Sequence, residues 1–204
     1  MHFKANASRN NPSLQFRETY SMRRKFLPMY LAVSMSALST PAWAAEAHVH
    51  GLANLEVSIE GNTLSIAMES PLDNLIGFER APKTPAEIGK VRSMATSLRA
   101  ADKVFVTNPQ AACKPVSVKL VSSALDPALL GEASADKQAT AEHSEHADLD
   151  ANFSFRCDKI AALNSLTVQL FDGFANMKTL DVKLVTPKRQ HASKLTPASR
   201  TLEW

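Results

Sequence analysis

Apolar residues recur at alternate positions in two runs, one between residues 49 and 59 and one between 64 and 68. Val49, Ala53, Leu55, Val57 and Ile59 take odd positions, while His48, His50, Asn54, Glu56, Ser58 and Glu60 take even ones. Successive side chains of an extended chain point to opposite faces, so this alternation predicts a strand with one covered and one open face. "EGNT" (60–63) puts Gly61-Asn62 before a second alternating run, Leu64, Ile66 and Met68, which is the turn chemistry of a β-hairpin. A helix cannot bury a period of two, so the chain is committed to a sheet that something must cover.

One helix is placed to do so. Thr84 is a capping residue, Pro85 suits a first turn, and Glu87 stands at capping-box spacing. Ile88, Val91, Met94, Ala95 and Leu98 then form a stripe at helical period, ending near Ala101. Further strands are expected at 103–107, 116–122, 149–157, 165–171, 179–186 and 189–196, with a terminal one holding Leu202 and Trp204. "SPLDNLIGFERAPKTP" (70–85) reads as irregular, anchored by Leu72, Leu75, Ile76 and Phe78. Residues 123–147, with "GEASADKQATAEHSEHA", offer little to bury and read as a mobile loop. The expected fold is α+β and β-rich: an antiparallel sheet or sandwich of seven to nine strands, with one principal helix (84–101) packed on it.

The N-terminal segment reads as an export signal. Arg23, Arg24 and Lys25 precede an apolar run, Phe26 to Leu38, followed by Pro41 and the small-residue pattern Ala42-Trp43-Ala44. The expected start is Met22, with 1–21 an untranslated or disordered extension, 22–44 a signal peptide cut after Ala44, and 45–204 a single domain. "RRKFL" also partly matches a twin-arginine signal. Residues 1–44 hold six of the 23 basic and one of the 20 acidic residues, leaving 17 basic and 19 acidic, a net charge of −2. Without a basic patch, nucleic acid is not an expected partner. No membrane span is expected after Ala44. In an exported domain, Cys113 and Cys157 are expected to pair, which would stabilise the fold by about 3–4 kcal/mol in the chain-entropy picture. The alternative is a pair of zinc thiolates, although neither cysteine has a second ligand at suitable spacing.

Four of the six histidines fall in two pairs, His48 with His50 and His143 with His146. Residues i and i+2 of a strand share a face, so His48 and His50 are expected to project together from the open face, opposite Val49. The second pair lies among Glu142, Glu145, Asp148 and Asp150, and His146 and Asp148 would emerge at the mouth of the loop. Imidazoles and carboxylates without thiols suit zinc, and also copper or nickel. Glu69, on the hairpin's open face, is a further candidate ligand. His191 reads as a surface or core histidine.

"HVHGLANLEVSIEGNTLSIAMESPLDNLIGFERAP", "HADLDANFSFRC" and "LTPASRTLEW" together resemble the ZrgA-like family of small periplasmic proteins associated with bacterial zinc uptake. The resemblance runs over residues 47–204 and implies a β-rich domain with a helix, zinc binding in the periplasm, and a zinc permease or metal-binding partner. Two features depart from the family pattern: Arg80 stands where a histidine usually follows "GFE", and the acidic histidine loop is short. A single zinc site shared by His48, His50, His146 and Asp148, with His143 less involved, fits these residues better than storage. The first functional reading is therefore a non-enzymatic periplasmic protein that captures or delivers Zn²⁺. The rivals are a zinc hydrolase with an open metal position and Glu69 or Glu79 as base, and a structural or carbohydrate-binding sandwich with incidental histidines. No HExxH helix supports the hydrolase.

Overall fold

The alternating stretch forms the first two strands, β1 (Leu52–Glu60) and β2 (Thr63–Pro71). They pair antiparallel from Asn54 opposite Glu69 to Glu60 opposite Thr63. Gly61 turns the hairpin at φ 55°, the positive value that a tight two-residue turn requires. Leu55, Val57, Leu64, Ile66 and Met68 are buried, while Glu56, Ser58, Ser65 and Glu69 face out. These positions belong to a computed structural model that describes residues 49–133 and 147–204.

Four more strands complete the main sheet: β4 (Cys113–Val121), β5 (Asp148–Cys157), β7 (Thr179–Val185) and β8 (Gln190–Leu195), in the order β4-β5-β2-β1-β7-β8. A smaller sheet joins β3 (Phe105–Thr107), β6 (Ser165–Val168) and β9 (Thr201–Glu203), in the order β3-β6-β9. Nine strands among the described residues match the upper end of the expected count, but the wholly antiparallel expectation does not hold. β1 and β7 run parallel, with Leu52 beside Thr179 and Ser58 beside Val185. Parallel neighbours need a long crossover, and here all of the intervening chain supplies it. Side-chain alternation has the same period in both pairings, so it could not distinguish them.

The covering helix, α2 (Pro85–Arg99), has the expected capping box between Thr84 and Glu87 and buries Val91, Met94, Ala95 and Leu98. It packs against β4 and two short helices, α1 (Leu72–Ile76) and α4 (Pro127–Leu130). Thus a segment expected to be irregular contains α1. The expected loop at 123–147 opens with α4, held by the buried Leu125 and Leu130. Residues 134–146 lie outside the described residues. Two boundaries also move. Ala101–Val104 form a helical turn, α3, so β3 begins two residues late, and the run at 165–171 divides into β6 and α5 (Leu170–Gly173).

The Cys113–Cys157 bridge is present and joins residues that face each other across β4 and β5. Neither thiol is left to ligate a metal. Among the described residues, no helix is long and apolar enough to cross a membrane.

Candidate functional site

One end of the main sheet gathers several chain entries. β1, β5 and β7 begin there and β2 ends there, as the pairings of Leu52 with Thr179 and Pro71 with Asp148 require. Strands are spaced by about 4.8 Å, so the starts of β1 and β5, separated by β2, lie about 10 Å apart. The first histidine stretch and Asp148 thus enter the sheet at the same end.

His50 does not sit on β1. It occupies a turn with Gly51, which Leu52 N–H closes onto the Val49 carbonyl at 3.0 Å. Gly51 has φ 87°, and a Cβ there would come within 3.1 Å of Lys178 Cγ. This left-handed residue breaks the strand parity, so the expectation that His50 projects with β1's open face does not hold. Three groups hold the turn. The Gly51 N–H donates to Asn74 Oδ1 at 2.6 Å, and its carbonyl accepts from the N–H groups of Lys178 (2.8 Å) and Thr179 (2.9 Å). Asn74, only 1% exposed, also donates through Nδ2 to the Leu52 carbonyl (2.8 Å) and Ser70 Oγ (3.2 Å). A buried amide must satisfy its polar atoms, and these bonds fasten α1 to the His50 turn.

The fastening brings two carboxylates to one imidazole. His50 Nε2 is 3.0 Å from Glu79 Oε1, and Nδ1 is 3.9 Å from Asp73 Oδ2. The first separation is within ion-pair reach of a protonated imidazole, and the second is too long for a hydrogen bond. His50 is 63% exposed, so the trio is open to solvent.

Glu79 lies in the connection between α1 and α2. The next residue, Arg80, turns away from the trio. Its guanidinium donates to both carboxylate oxygens of Glu87, at 2.6 and 3.1 Å, and stands 5.0 Å from the Phe78 ring centre. The Arg80 hydrogen bonds, followed by the Lys83 N–H at 2.6 Å, hold the Glu87 carboxyl down at about 2.

The other expected ligands are distributed differently. Asp148 opens β5, half-buried, opposite Pro71. Glu69 is on the open face as expected, but its register partners are Asn54 and Asp150. Burial, then the neighbouring Glu69 charge, pushes the Asp150 carboxyl up. His191 is exposed on β8, opposite Leu184. His48, His143 and His146 lie outside the described residues. Among the described residues, no group of three or more His, Cys, Asp or Glu side chains forms a ready-made metal cage. Asp73 and Asn74 were not anticipated. Their signal was two adjacent polar residues inside the otherwise apolar run "PLDNLI".

The fold and this trio define a β-rich domain with an imidazole and two carboxylates exposed at one end of a mixed sheet. Residues 47–204 match the family described as "ZrgA family zinc uptake protein", and the chain belongs to that family. No curated protein matches the chain significantly.

Proposed function

We propose that this protein captures Zn²⁺ in the periplasm and passes it on for uptake, with zinc as its cargo and no bond made or broken. The observation carrying this reading is His50 Nε2 facing Glu79 Oε1 at 3.0 Å. Two ligand atoms each about 2.0–2.1 Å from a tetrahedral zinc stand about 3.3 Å apart, so the pair needs only a small opening to admit the ion. Asp73 Oδ2, 3.9 Å from the other ring nitrogen, adds a second negative charge beside the imidazole. His48, Asp148 and His146 are the further ligands in this reading, His143 is a weaker contributor, and Glu69 is the least favoured, given its partners across the sheet. A zinc permease or another periplasmic metal-binding protein receives the ion. The leader-like segment before residue 45 and the Cys113–Cys157 bridge support an oxidising, exported setting.

Calorimetric zinc titration tests the proposal. His50→Ala and Glu79→Gln should each weaken binding by about tenfold or more, the scale on which metal sites respond to lost partners. Affinity should fall as the solution is acidified, because only neutral imidazole ligates. Wild-type affinity in both folded variants would place the zinc elsewhere.

A further inference from the structure

We propose that Arg80 and Glu87 are positioning residues for zinc capture, and that their ion pair holds the connection between α1 and α2 so that the Glu79 carboxylate meets His50. The inference rests on the zinc reading above.

The connection needs such a device. Among the described residues, the backbone of residues 78–83 makes no hydrogen bond to other backbone groups. One carboxylate organises it instead. Glu87 accepts from Arg80 Nη2 (2.6 Å), Arg80 Nη1 (3.1 Å), Lys83 N–H (2.6 Å) and Thr84 N–H (3.2 Å). Arg80 Nη1 also donates to the Ala81 carbonyl at 3.1 Å, and the guanidinium stands over Phe78, which packs against the core. Glu79 is therefore flanked by two fixed neighbours, Phe78 on the core and Arg80 on the first turn of α2. With Arg80 drawn toward Glu87, the adjacent Glu79 is left facing His50. A planar guanidinium suits this task better than an ammonium, because its two prongs fix orientation as well as distance. The pairing also means that the arginine next to the site presents a neutralised charge to an approaching cation.

A half-exposed surface ion pair contributes little to global stability, so its loss should leave the fold intact and act locally. Zinc affinity of the purified protein is measured by calorimetry for Arg80→Ala, Arg80→Lys, Glu79→Gln and the Arg80→Ala/Glu79→Gln double variant, with thermal melts alongside. Arg80→Met keeps the apolar stem on Phe78 and replaces the alanine variant if that one melts early. Loss of Arg80 should weaken zinc binding by about tenfold, as for partners that orient ligands, with lysine in between. In the Glu79→Gln background, the same change should alter affinity by less than about twofold, because the two residues act through one ligand. A purely structural role would lower affinity equally in both backgrounds, and that result overturns the proposal. Unchanged or tighter binding by Arg80→Ala, with Glu79→Gln still weakened, also overturns it while leaving the zinc reading intact. Wild-type binding by Glu79→Gln overturns the proposal, and wild-type binding by His50→Ala as well removes the zinc reading with it.

Discussion

At the residue scale, Asn74 is what ties the His50 turn to α1. Its amide spends its donors and acceptor on Gly51, Leu52 and Ser70, so the His50 turn and α1 share one buried anchor. Asn74→Ala would leave buried polar groups unpaired, at a cost of about 1–3 kcal/mol. Urea unfolding should show that loss, and a zinc titration on the still-folded variant should show weaker binding, since Asp73 and the His50 turn are released together. A neutral outcome in both would mean that the turn holds by its backbone alone. His50 was legible in the sequence as a candidate because it stands in a close histidine pair. Asn74 was not, because its role is set by a partner 23 positions away, and no local pattern marks that.

At the element scale, alternation was a good guide to β1, β2 and β5, and capping chemistry to α2, because each depends on neighbours in sequence. It failed for α1, whose five residues hide behind Pro71 and whose helical state depends on tertiary bonds. It also failed for the parallel β1–β7 pair. The strand rows give a prediction of their own. Glu69 and Asp150 face each other across β2 and β5, and like charges directly opposite are destabilising on a scale of roughly 0.2–1 kcal/mol. The Asp150 carboxyl is pushed above its ordinary value of 3.8, so its folded form favours the proton. The stability linked to that proton is present below about pH 3.8 and lost as pH rises through the raised value. Asp150→Asn should therefore unfold at higher urea than wild type at pH 7 and show no gain at pH 3. A gain of equal size at both pH values would point to packing instead of charge.

At the scale of the whole molecule, the disulfide and the candidate site occupy opposite ends of β5. Ten residues at about 3.4 Å each put roughly 30 Å between them. The bridge should stabilise the fold without tuning the metal. Cys113→Ala/Cys157→Ala should lose about 3–4 kcal/mol in urea unfolding while keeping zinc affinity within about twofold. A large affinity loss in the folded variant would tie the two ends together. The parallel pairing of β1 with β7 adds a matter of timing. Lys183 reaches Glu56 across 127 positions, and Lys178 and Thr179 reach back in the same way to hold Gly51. Contacts this distant in sequence close slowly. A chain that has emerged only as far as β5 owns its hairpin and Asn74 but not the Lys178 and Thr179 N–H groups, so the second half of the clasp on Gly51 belongs to the finished molecule and not to its growing precursor.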